Sequence, residues 1–129
     1  METGRLRSPL SKVRGLGSAK DGTEHWWLQR LTALTLIPLA LWFVYSMMWV
    51  AVGADSEALQ QWIKSPFVAI ALVILFIALS VHARLGLQVV IEDYVHHHGR
   101  RIGLLILNKL VMFFLMVISI IAVLKIHLI

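Results

Sequence analysis

The sequence predicts an all-α membrane protein of three transmembrane helices, preceded by an irregular, basic N-terminal arm. Three observations carry that expectation. Of 129 residues, 59% are hydrophobic and 15% charged. A soluble domain has roughly 45–50% apolar and about 25% charged residues, so the excess must face something other than water. The apolar residues form three runs, each long enough for the roughly 20 residues that cross a hydrocarbon core of about 30 Å. Finally, Lys and Arg gather in two of the four segments flanking these runs, which orients the spans.

Residues 1–24 form the expected arm. It holds Gly4, Gly15, Gly17 and Gly22, and Arg5, Arg7, Lys12, Arg14 and Lys20 outweigh Glu2, Asp21 and Glu24. A basic segment beside a membrane meets anionic lipid headgroups or a partner subunit. No recognition motif accompanies the net charge of +5, so nucleic acid is not an expected partner. The segment also resembles a targeting peptide, but Leu31 to Ala54 is uncharged throughout. That run exceeds the roughly 7–15 residues of a signal-peptide core and is expected to be retained as a span.

Residues 25–129 form the transmembrane domain, with spans near 26–53, 66–93 and 102–126. Trp26 and Trp27 at one end of the first span and Trp49 at the other suit the interfacial aromatic belts. Pro38 should kink it. Residues 54–65, with Asp55, Glu57 and Lys64, read as a polar connection, and Ser65-Pro66 opens the second helix. Tyr94 to Arg101 reads as a polar turn in which His96, His97 and His98 are solvated. Counting Arg30, the arm and the second loop carry most of the flanking Lys and Arg, while the first loop has only Lys64 and the C-terminus only Lys125. The expectation is a cytoplasmic (or matrix) N-terminus and a C-terminus on the opposite side. The absence of cysteine excludes disulfides, thiolate-bound zinc and an iron–sulfur cluster held by this chain.

His82 is the most informative residue. It precedes Asp93 by 11 positions, roughly 16 Å along a helix, and ionisable groups at such depth mark a cofactor, an ion path or a polar packing contact. Three readings stay open: a hydrogen bond to a neighbouring helix, haem ligation, and proton relay. Gly86, Val89 and Asp93 share its helical face, and Gly86 clears room for a flat macrocycle or a close helix. Arg84 lies about 200° around the helix and cannot point the same way. It either snorkels or pairs with a carboxylate, including a haem propionate, and Arg30 presents the same choice. Glu92-Asp93-Tyr94 reads either as an interfacial tyrosine beside solvated acids or as a quinone site. In the second case the phenol donates to a carbonyl and a carboxylate orients it or handles protons.

The stretch His82-Ala83-Arg84-Leu85-Gly86-Leu87-Gln88-Val89-Val90-Ile91-Glu92-Asp93-Tyr94-Val95-His96 resembles the signature of the small hydrophobic membrane anchor of succinate dehydrogenase (respiratory complex II). Arg14-Gly15-Leu16-Gly17-Ser18-Ala19-Lys20, then His25-Trp26-Trp27 and Gln29-Arg30-Leu31-Thr32-Ala33, are similar to its alphaproteobacterial branch. The resemblance covers about residues 14–34 and 80–96.

It implies half of a heterodimeric membrane anchor. The partners would be a cytochrome b subunit, which forms the other half, an iron–sulfur subunit and a flavoprotein subunit, with membrane lipids around them. It implies haem b between the two halves of the anchor, with His82 as one axial ligand to the iron, and ubiquinone as substrate. Tyr94 would hydrogen-bond ubiquinone beside Asp93, and Arg30 would lie near the haem propionates. Arg84 has no clear counterpart and stays a second candidate for that role. The chain would supply no catalytic residue for succinate oxidation, being a component of an enzyme. The implied location is the bacterial inner membrane, ahead of the mitochondrial one. The alternatives are a fumarate reductase anchor and a cofactor-free three-span structural or assembly protein, in which His82, Arg84 and Arg30 are buried polar glue.

Overall fold

A computed structural model describes Pro9, residues 20–53 and residues 55–129 of the chain. Most of the expected arm therefore lies outside the described residues. The described chain has four helices: α1 (Lys20–Gly53), α2 (Ser56–Lys64), α3 (Pro66–Tyr94) and α4 (His98–Leu128). α1, α3 and α4 are long and apolar enough to cross a membrane, which makes this a multi-pass membrane protein.

α1 starts at Lys20, so residues 20–24 are helical and not irregular as expected. No proline interrupts α1 before Pro38, and a helix satisfies each added backbone group within itself as it leaves the apolar zone. Pro38 stands inside a continuous helix. Lacking an N–H, it leaves the carbonyl four residues earlier without its usual donor.

The expected polar connection over residues 54–65 is instead the short helix α2. Asp55 caps it, its Oδ1 accepting from the Ala58 N–H at 2.8 Å. Glu57 in the first turn and Lys64 in the last complement the helix dipole. Ala58, Leu59, Trp62 and Ile63 recur at helical spacing on one face. The charged residues on the other face give the segment its loop-like composition.

Proline at the first position then starts α3, as the sequence indicates. The expected turn Tyr94 to Arg101 shrinks to residues 95–97. His97 caps α4 by accepting the Arg100 N–H on its Nδ1 at 3.3 Å, so His98 is already helical.

α3 is the central element. It packs along α1 on one side and α4 on the other, and α2 lies across one end of the bundle in contact with all three. The buried core gathers at that end, from Ile63, Ala69, Leu72, Leu75 and Val123, with Trp42, Phe43, Phe76 and Ile126 packed against it. Trp62 stacks on Trp42 with ring centroids 5.6 Å apart. His127 Nδ1–H donates to the Ile63 carbonyl at 3.3 Å, tying the end of α4 to α2. Along α1 and α4, by contrast, Leu31, Leu34, Leu41, Phe113, Phe114 and Ile118 are exposed. Such faces suit lipid or another apolar chain.

Candidate functional site

Antiparallel packing of α1 and α3 sets the site's depth. Thr32 lies 12 residues after the start of α1, and His82 lies 12 residues before the end of α3. Both are thus roughly 18 Å from the bundle end that carries the α3–α4 turn. Their side chains meet there, with Thr32 Oγ1 3.1 Å from His82 Nδ1. The same hydroxyl lies 2.8 Å from the Leu28 carbonyl and 3.1 Å from the Gln29 carbonyl of its own helix. Thr32 can sit in an apolar helix because its hydroxyl finds backbone acceptors one turn back.

The other ring nitrogen of His82, Nε2, makes no hydrogen bond among the described residues. One turn further along α3, a Cβ built on Gly86 would meet nothing within 4 Å. Open space therefore adjoins the histidine's face of the helix toward the turn.

The two arginines lie elsewhere. Arg84 faces α4, lining a groove with Ser80, Val81, Lys109, Met112, Phe113 and Met116. Asn108, which is buried, donates from Nδ2 to the Arg84 carbonyl at 2.9 Å. Arg84 Nε and Asn108 Oδ1 are buried there without partners among the described residues. Arg30 is exposed, with its guanidinium 5.0 Å from the centre of the Trp26 ring. It lies two residues from Thr32, about 200° around α1 from the contact with His82. The structure therefore joins His82 to Thr32 and to the Gly86 opening, and brings neither Arg30 nor Arg84 into that contact.

Asp93 and Tyr94 end α3. Tyr94 is 79% exposed, and neither residue makes a hydrogen bond or ion pair among the described residues. Their neighbour Glu92 is engaged by Gln88, whose Nε2 donates to its carboxylate at 3.0 Å. The phenol and the Asp93 carboxylate are left open at the surface. Tyr94 continues a stripe with Leu79, Leu87 and Val90, all exposed and spaced to share a helical face.

Sequence reasoning passed over Thr32, although it falls within the Gln29-Arg30-Leu31-Thr32-Ala33 segment. The available signal was a hydroxyl in an apolar run at the same depth as His82. Asn108 is a polar residue near the start of the third span, but its partner is a backbone carbonyl, which no side-chain pattern reveals.

The chain matches the succinate dehydrogenase/fumarate reductase transmembrane subunit family over residues 4–123. It is 38% identical to the succinate dehydrogenase hydrophobic membrane anchor subunit of Rickettsia bellii, over 92% of this chain and 94% of that one. It is 36% identical to the corresponding subunit of Rickettsia conorii, over 81% of this chain and 83% of the relative. The similarly named subunit of Paracoccus denitrificans is 30% identical, over 78% of each chain. The chain belongs to the succinate dehydrogenase/fumarate reductase transmembrane subunit family, as a membrane anchor subunit of the succinate dehydrogenase kind.

Proposed function

We propose that this chain anchors a succinate:ubiquinone oxidoreductase, gives one axial ligand to a haem b shared with a cytochrome b subunit, and forms part of the ubiquinone-reduction site. The observation that carries this reading is His82, held at mid-depth by Thr32 with Nε2 unbonded and with open space beside Gly86. An imidazole nitrogen without a protein partner, beside a helix face bare of side chain, fits a flat iron macrocycle. When bound, the haem supplies one-electron transfer near the route between the iron–sulfur subunit and the quinone.

A bis-histidine haem needs a second imidazole, and this chain has no other histidine at that depth. His25 and His96 to His98 lie near or beyond the helix ends at the turn side, and His127 is engaged by Ile63 at the opposite end. The second imidazole belongs to the partner. The exposed Leu79–Tyr94 stripe suits the same arrangement, since in the complex it faces another chain or the quinone.

At the turn end, Tyr94 donates its phenol hydrogen to a quinone carbonyl entering from the lipid, and Asp93 orients the pair or passes protons from water. A quinone under reduction gains negative charge on oxygen, so the donor helps more as reduction proceeds. Arg30, exposed toward the same end, is the candidate partner for a haem propionate. Arg84 pairs with an acidic group presented at the α3–α4 groove. The Lys/Arg distribution supports placing this end on the cytoplasmic side of a bacterial inner membrane. The iron–sulfur and flavoprotein subunits dock there.

The test is an absorption spectrum of the purified membrane complex reduced with dithionite. A b-type spectrum that copurifies with this chain is expected. A complex that oxidises succinate with quinone yet contains no haem would return His82 to a purely structural role.

A further inference from the structure

The contact between Thr32 and His82 also bears on which nitrogen is offered to the iron, an inference that rests on the haem reading above. A threonine hydroxyl has one hydrogen and two lone pairs. The Leu28 carbonyl lies 2.8 Å from Thr32 Oγ1, nearer than His82 Nδ1 at 3.1 Å, with the Gln29 carbonyl also at 3.1 Å. Neither carbonyl has a hydrogen to give. The single hydroxyl hydrogen is therefore directed along α1, leaving Oγ1 as an acceptor toward His82. The bond between the two side chains must then be donated by His82 Nδ1–H. A neutral imidazole carries one N–H, so Nε2 keeps its lone pair.

We propose that Thr32 is a positioning residue for the haem ligand. It fixes His82 in the Nδ1–H tautomer, anchors the ring against α1 and presents Nε2 to the iron. Metal-bound histidines almost always donate their second ring N–H, and that bond raises the ligand's basicity. A more basic imidazole favours ferric over ferrous iron. The Thr32 hydroxyl thus lowers the haem midpoint potential from a helix that provides no ligand of its own.

The test uses the intact membrane complex carrying Thr32→Val, Thr32→Ser or His82→Ala. Valine keeps the shape and removes the hydroxyl, whereas serine keeps the hydroxyl. Thr32→Val should raise the midpoint potential, shifting the ferric/ferrous equilibrium by up to about tenfold, or about 59 mV for one electron. It should also move the low-spin ferric EPR signal, and Thr32→Ser should leave both near the parent values. If Thr32→Val changes neither readout in a complex where His82→Ala changes them, the role of Thr32 is overturned and ligation by His82 stands. A lowered midpoint in Thr32→Val overturns it as well, because that sign belongs to a hydroxyl donating to Nδ1. If His82→Ala alters neither readout, the ligation reading fails and takes this inference with it. Should Thr32→Val block assembly, Thr32→Ala replaces it. A shift in alanine with a parent-like serine supports the proposal, and identical values in the two overturn it.

Discussion

The two ends of the bundle are built on different principles. At the α2 end, Trp62 stacks on Trp42, Leu72 is 3% exposed, and His127 is bound to the Ile63 carbonyl. α2 touches all three long helices there and closes that end within one chain. Toward the α3–α4 turn the polar groups multiply and the packing opens. His82 Nε2, Arg84 Nε and Asn108 Oδ1 lack partners among the described residues, and Tyr94 stands almost bare. In a membrane, unpaired polar groups are costly, so they persist where another molecule completes them. One end is closed by contacts within the chain, and the other carries unpaired polar groups that the proposed function assigns to partners and cofactor.

That contrast predicts that substitutions at the two ends separate stability from redox function. The largest stability effect should come from Leu72→Ala, which opens a cavity in the core. Lipid is as apolar as leucine, so much of the usual transfer contribution falls away and lost packing dominates, at about 2–3 kcal/mol. Thermal denaturation of the complex in detergent should show a lowered midpoint, with the haem potential unchanged. A displaced haem potential would mean that the two ends are mechanically coupled.

Tyr94→Phe should do the reverse. Losing a hydrogen bond to a quinone that becomes charged costs roughly 0.5–3 kcal/mol. This corresponds to about 2-fold to 150-fold in quinone-linked rate. Electrons drawn off upstream by an artificial dye should flow as before, so the ratio of quinone-linked to dye-linked succinate oxidation is the quantity to measure. A parent-like ratio would make the phenol an interfacial anchor only.

Asp55→Ala should have the smallest effect. It removes the N-cap of α2, worth about 1 kcal/mol, on an exposed helix end. A modest fall in thermal midpoint is expected, with quinone-linked activity intact. A change in activity without loss of stability would place α2 in a functional role that the contrast denies it.

The same division governs how much is legible in the sequence. The three spans are readable because lipid demands long uninterrupted apolar runs, and His82 stands out as an ionisable residue within one. The position of Arg84 on the opposite face follows from helix geometry and agrees with its place in the α3–α4 groove. α2 escapes notice because Asp55, Glu57 and Lys64 make it look like a connection, although the cap and the apolar face of Ala58, Leu59, Trp62 and Ile63 are already written there. The His97 cap is hidden among three histidines that read as solvated. The pairing of Thr32 with His82 spans 50 residues, and only the antiparallel register of α1 and α3 brings the two to one depth. The open end resists sequence reading because its polar groups have no hydrogen-bond partners among the described residues, so no pattern within the chain pairs them.

The haem reading and the role proposed for Thr32 both depend on whether His82 meets an iron. The decisive comparison is the absorption spectrum and midpoint potential of haem in the purified complex carrying His82→Ala, set beside the parent. Axial ligation predicts a shifted spectrum, a shifted potential or loss of the haem, depending on whether another group fills the vacated position. A haem present at parent level with both spectrum and potential unchanged would rule ligation out, and His82 would then be a packing residue bound to Thr32 and nothing more.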